Sequence, residues 1–142
     1  EALLARHGVH PDRCMEEGIY VSTGSLGQGL PIAVGMALAD RSQTVYCMLS
    51  DGECAEGSVW EALRIAGEQR LENLRVVVIA NGYSAYQSLD VDLLDQRLQL
   101  FYPCLVVRKN LFNMPDFMQG LNAHYAVMSK EDYEAALSGS II

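Results

Sequence analysis

Positive charge is scarce in this chain: 10 Lys and Arg stand against 18 Asp and Glu, giving a formal net charge of −8 over 142 residues. That balance excludes non-specific binding to nucleic acid or to an anionic membrane, because neutralising phosphates requires clustered cations. Cysteine is sparse as well. Cys14, Cys47, Cys54 and Cys104 lie 33, 7 and 50 residues apart, which is neither a C-x-x-C pair, nor a zinc-ribbon spacing, nor a dense disulfide framework. Reduced thiols in a cytoplasmic protein are the expectation. A membrane-spanning run is also lacking, since the uncharged stretch around the glycines, Ile19 to Leu38, is interrupted by Ser22, Thr23, Gln28, Pro31 and glycine. The opening residues carry no leader-like apolar core, and no internal repeat or low-complexity tract is present.

What remains is 50% hydrophobic and 20% charged, the composition of one globular domain. A chain of this length buries roughly two thirds of its unfolded surface, enough for a core without disulfide or zinc staples. It opens on Glu1 with no initiating Met, so it reads as a piece whose neighbours lie outside it. Glu1 to Ser22 has no sustained period and reads as a short helix followed by loop. The glycine-rich turn Thr23 to Gly29 then leads into an apolar helix with Pro31 in its first turn and small residues for close packing. Thr44 to Leu49 and Leu74 to Ala80 are β-branched apolar runs, expected as parallel strands covered on both faces. Between them Ser58 and Glu61 form a capping-box pattern ahead of a helix. Asp90 to Phe101 reads as a further helix, Leu105 to Val107 as a third strand, Asn110 to Tyr125 as irregular, and Ser129 as the cap of a last helix. Together these predict an α/β fold, a doubly wound, mostly parallel sheet with helices on both faces.

In such a sheet, ligands bind beyond the carboxyl ends of the strands. Asp51 follows the first strand and Asn81 the second, 30 residues later, so one crossover brings both to a single rim with backbones about 4.8 Å apart if the strands are neighbours. A carboxylate, an amide oxygen and a loop carbonyl form a hard-oxygen set for Mg2+ or Ca2+. A dication would let an acidic protein hold a diphosphate, with Gly52 admitting close backbone approach and the helix beginning near Ser58 offering its positive end. Taken singly, Asp51-Gly52 and Asn81-Gly82 also read as ordinary turns.

The stretch Ser50-Asp51-Gly52-Glu53-Cys54-Ala55-Glu56-Gly57, then Trp60-Glu61-Ala62 and Asn81-Gly82, resembles the diphosphate-binding half of thiamine-diphosphate enzymes, specifically the transketolase family. Ser22 to Ala39 is similar to the family segment upstream of its cofactor motif, and the likeness runs from about Val9 to Ser84. The resemblance implies that Asp51, Asn81 and the Tyr83 carbonyl hold the metal. It also implies that Gly24, Ser25, Leu26, Gly52, Glu53 and Asn81 meet the cofactor, and that Glu56 joins an acidic network across a subunit interface. His10, before Pro11, resembles the family's substrate-side histidine, and His124 a later histidine near the diphosphate; His7 matches nothing and reads as a surface or loop residue.

The chain departs from the family at Ser50, where the family has Gly, and at Val9. The family's usual amino-terminal segment is absent, and the chain is shorter near 101–105. Residues 1–142 therefore read as a single thiamine-diphosphate-binding domain, truncated at its amino terminus. No region resembles the pyrimidine-binding domain whose glutamate activates the cofactor. The reading implied is a subunit, inactive alone, of a transketolase-like enzyme that moves a two-carbon ketol unit between sugar phosphates. Its partner would be a pyrimidine-domain subunit or a missing carboxy-terminal half, in an oligomer. The alternatives are a degenerate, non-catalytic interaction module of the same fold, and another thiamine-diphosphate enzyme such as a synthase, ketoacid decarboxylase or dehydrogenase.

Overall fold

A computed structural model describes residues 2–84, 87–108, 120–121 and 126–138. Their elements run α1 (Ala2–His7), α2 (Gly29–Ala39), β1 (Val45–Ser50), α3 (Gly57–Glu68), β2 (Leu74–Ala80), α4 (Val91–Phe101), β3 (Cys104–Arg108) and α5 (Lys130–Ser138), with short 3-10 turns at Met15–Glu17 and Gly52–Ala55. The strands form a parallel three-stranded sheet in the order β1-β2-β3. The glycine-turn helix and the first two strands thus sit where the sequence places them, within a residue. Asp90 caps α4 by accepting a hydrogen bond from the Leu93 N–H at 3.0 Å. Ser129 and Asp132 cap α5 reciprocally, at 3.0 and 3.1 Å, and these bonds hold the exposed Asp132 carboxyl below its ordinary range.

Register fixes two rows on each face of the sheet. Cys47, Val76 and Cys104 are level, as are Leu49, Val78 and Val106, and these residues join Leu30, Val34, Val59, Leu63, Leu94 and Leu98 in the core. The Cβ position of Gly29 lies 3.8 Å from Cys47 Sγ, which puts α2 on this same face. The opposite face carries Tyr46, Met48, Val77, Ile79, Leu105 and Val107, with Met48 71% exposed. The parallel α/β architecture is as expected, but among the described residues the helices packed on the sheet share one face. The strand order accounts for this: two right-handed crossovers stepping in the same direction put both helices on the same side.

Two smaller expectations are corrected. Helix α3 begins a residue before Ser58, with Glu56 as its N-cap residue, and the Ser58 hydroxyl instead faces the Gly27 carbonyl at 3.5 Å. His7 is a half-buried helical residue whose Nε2 lies 2.7 Å from Glu17 Oε2. The irregular stretch expected at 110–125 lies almost wholly outside the described residues.

One polar side chain ties the layers together. Asn73, just before β2, donates through Nδ2 to the carbonyls of Ala37, Asp40 and Gln43 at 3.0–3.1 Å, fastening the end of α2 and the approach to β1. Asn73→Ala leaves those acceptors to compete for water and is expected to cost about 1–3 kcal/mol in urea unfolding; an unchanged midpoint would contradict this role. All four thiols are free, and burial pushes Cys47 up to about 11 and Cys54 and Cys104 up to about 12. At pH 8 roughly one molecule in a thousand or fewer carries a thiolate at any of these three. Iodoacetamide should therefore modify the half-buried Cys14 first, which mass mapping of the native chain checks.

Candidate functional site at the carboxyl rim of the sheet

The parallel ladder carries Asp51 onto the rim, its N–H donating to the Ile79 carbonyl at 3.0 Å. There its carboxylate, 1% exposed, turns across to the neighbouring strand end. Oδ2 accepts the N–H groups of Asn81 at 2.9 Å and Gly82 at 2.7 Å, and Oδ1 accepts that of Gly52 at 3.1 Å. Three backbone donors satisfy a buried negative charge that would otherwise be costly. Gly82 supplies the bend, with φ +84°, in the region where a side chain is strained. Asn81 Oδ1 accepts from the Tyr83 N–H at 2.9 Å. The bridge between Tyr83 and Ser88 is bonded through Gly82 and Ser84, leaving the Tyr83 carbonyl outside that ladder. It lies 3.8 Å from the Cβ position of Gly52.

Asp51, Gly52, Asn81 and Tyr83 are therefore brought to one rim. Their donor set is hard oxygen: a carboxylate whose Oδ1 takes a single hydrogen bond, an amide oxygen and a carbonyl. That chemistry fits Mg2+ or Ca2+. No group of three or more His, Cys, Asp or Glu able to hold a metal occurs among the described residues, which leaves a softer metal without ligands there.

A second cluster adjoins the first through Glu53. Its Oε1 accepts the Gly27 N–H at 3.1 Å, while Oε2 accepts the Ser50 N–H at 2.8 Å and the Ser50 hydroxyl at 3.2 Å. The Glu53 N–H returns a bond to Ser50 Oγ at 3.2 Å. This is a reciprocal S-x-x-E capping box, whose signal is present in the letters at 50–53. It explains why a serine serves where the family has glycine: among the described non-glycine residues only Arg70 has a positive φ, so Ser50 needs no glycine conformation. Glu53, expected at the cofactor, thus has its carboxylate spent on bracing the glycine turn to the strand end.

Beside Glu53 lies a cavity of about 300 Å3 lined by His10, Gly24, Ser25 and Leu26, with Met48 from β1. The Thr23 N–H donates to the Pro11 carbonyl at 3.0 Å and the Arg13 N–H to Ser22 Oγ at 2.9 Å, zipping the His10-Pro11 segment to the glycine turn. The His10 ring consequently lies 3.4 Å from the Cβ position of Gly24, whose φ is +121°. Glu56 sits outside this cavity, exposed at the start of α3. His124 lies outside the described residues.

Gly27 is a tight joint between the glycine turn and α3. With φ +73°, a Cβ there would stand 2.8 Å from Glu56 Cβ and 3.0 Å from Ser58 Oγ. Gly27→Ala should cost at least about 1–3 kcal/mol in strain and loosen the glycine turn from α3. A chemical denaturation midpoint equal to wild type would refute that close approach.

Comparison with known proteins agrees with this geometry. Residues 2–101 match the model of the transketolase, thiamine diphosphate binding domain family. The chain is 47% identical over 90 residues to transketolase of Mus musculus, covering 57% of this chain and 14% of that protein. It is 40% identical over 98 residues to the 6-deoxy-6-sulfo-D-fructose transketolase subunit SqwG of a Clostridium species, covering 66% and 34%. The solved transketolase from Leishmania mexicana superposes with a TM-score of 0.55 at 24% identity, over 70% of this chain and 22% of that one, which is a likeness of fold. The chain thus spans about a third or less of the length of these relatives. The matched segment contains β1, β2, the Asp51–Asn81 rim and the glycine turn, and the chain belongs to the transketolase thiamine diphosphate binding domain family.

Proposed function

We propose that this chain is the diphosphate-side part of a transketolase-like enzyme and holds thiamine diphosphate through Mg2+ or Ca2+. The observation that carries this reading is the Asp51 carboxylate bonded to the N–H groups of Asn81 and Gly82, which puts the hard oxygens of two strand ends on one rim. Asp51, Asn81 and the Tyr83 carbonyl would hold the dication, and Gly52 would let the diphosphate approach the backbone. The glycine turn, Gly24 to Leu26, would line the other end of the cofactor. When bound, thiamine diphosphate supplies the carbanion-stabilising chemistry of ketol transfer. The chain's own residues supply position. Glu53 keeps the glycine turn and the strand end at a fixed spacing, and His10, packed on Gly24, faces the cavity where a sugar phosphate would be bound and oriented. Glu56, exposed beside Gly27, would meet a partner subunit, and His124 would act on the diphosphate side.

Several observations support the need for a partner. One relative, of which the chain covers 34%, is named as a subunit. Part of the sheet surface is apolar and exposed. The partner proposed is a pyrimidine-domain subunit, or a carboxy-terminal half of the same chain, that completes the site and, with it, the transfer of a two-carbon unit between sugar phosphates in an oligomeric, cytoplasmic enzyme.

The test is a calorimetric titration of thiamine diphosphate with Mg2+ into the chain, alone and with a pyrimidine-domain subunit. Asn81→Ala is the informative variant, because it removes the amide oxygen while keeping the backbone N–H that Asp51 needs. Binding is expected to depend on Mg2+ and to weaken by about tenfold or more in Asn81→Ala, a loss of about 1.4 kcal/mol or more. A folded wild-type chain that binds in neither arm, or a variant of equal affinity, would overturn the assignment.

A further inference from the structure

A second cavity, of about 540 Å3, opens between the start of α3 and the helix α4, away from the glycine turn. Its size falls within the range of small-molecule sites. Trp60, Leu94 and Phe101 form apolar walls, and Asp51 and Cys54 belong to its lining. The Trp60 ring is fixed, since Nε1 donates to the Cys54 carbonyl at 2.9 Å and Phe101 stands edge-on with ring centroids 5.5 Å apart.

The charges around this cavity are unequally compensated. Asp51 is satisfied by three backbone N–H groups. Asp90 is satisfied by the Leu93 N–H and by the positive end of the helix it caps. Arg97 also lines the cavity and has no hydrogen-bond or ion-pair partner among the described residues. Arg6, Arg64 and Arg108 pair with carboxylates and Arg41 and Arg75 donate to carbonyls, whereas Arg13 and Arg70, likewise without a side-chain partner among the described residues, lie outside this cavity. An apolar cavity beside a guanidinium without a partner is complementary to an aromatic ring bearing a single acid group, because the guanidinium takes a planar carboxylate through two parallel N–H bonds.

We infer that this cavity is a binding site for a small aromatic monoacid, its ring against Trp60 and Phe101 and its acid group on Arg97. The site is separate from the glycine-turn cavity and does not depend on a bound cofactor. Because Asp51 lies in its lining, an occupant would rest against the residue that joins the two strand ends.

Trp60 is the single tryptophan of the chain, so its fluorescence reports on this cavity alone. The probe is 4-nitrobenzoate, a quencher of indole emission, titrated into the full chain with its uncharged analogue 4-nitrobenzamide as control. Saturable quenching is expected with 4-nitrobenzoate, with half-saturation at or below about 1 mM. In Arg97→Gln, an exposed position whose side chain supports no other group, half-saturation should rise about tenfold. The benzamide should bind the wild type about tenfold more weakly than the acid and be indifferent to the substitution. Quenching that stays linear with concentration would mean random collision and overturn the site. Equal half-saturation for 4-nitrobenzoate in wild type and variant would overturn the role of Arg97 and with it the acid specificity.

Discussion

A buried carboxylate shared between two strand ends governs the chemistry available at this rim. Asp51 sits at the end of β1, yet its oxygens are held by the backbone of Asn81 and Gly82 beyond β2 and by Gly52 on its own side. Removing it would leave those donors without their protein acceptor, and would free the turn that carries the Asn81 side chain and the Tyr83 carbonyl. The backbone shell around this carboxylate exists because β1 and β2 are adjacent and parallel in register from Val45–Leu74 to Ser50–Ile79. Fold and candidate chemistry are therefore the same constraint seen at two scales.

The glycine turn is held by the same logic. Glu53 lies in the turn that follows Asp51 and reaches both Ser50 and Gly27, while Gly27 packs against Glu56 and Val59 at the start of α3. Three segments distant in sequence, the His10-Pro11 stretch, the glycine turn and the end of β1, thus meet around one small cavity. A site assembled from loops in this way is only as well positioned as the bonds that fasten the loops, which places Glu53 and Asn73 beside Asp51 in importance though neither need touch a ligand.

Much of this was legible in the sequence. The β-branched runs before Asp51 and Asn81, with a helical period between them, dictated adjacent parallel strands, and that adjacency alone brought the two oxygens to one rim. Asp90 and Ser129 announced their helices because a short polar side chain followed by a helical period leaves few other readings. What escaped was tertiary. The strands read as covered on both faces because apolar runs give no sign of which face the helices take, and among the described residues Tyr46, Met48 and Leu105 belong to the face without a packed helix. Ser58 has the pattern of a cap, but the close approach of Gly27 drew α3 a residue further back. The Ser50–Glu53 box was present in the letters, yet its partner Gly27, 26 residues away from Glu53, gives it a role that no local pattern contains.

The central claim is that Asp51 binds the turn beyond β2 and so creates a rim able to hold a dication and a diphosphate. Amide-resolved NMR of the isotopically labelled chain reads this directly. The account predicts that the Asn81 and Gly82 N–H groups exchange slowly with solvent despite their place at a loop. It further predicts that these resonances and that of Gly52 shift together when thiamine diphosphate is added with Mg2+, and not with either alone. Rapid exchange at Asn81 and Gly82, or cofactor-induced shifts confined to other parts of the chain, would contradict it.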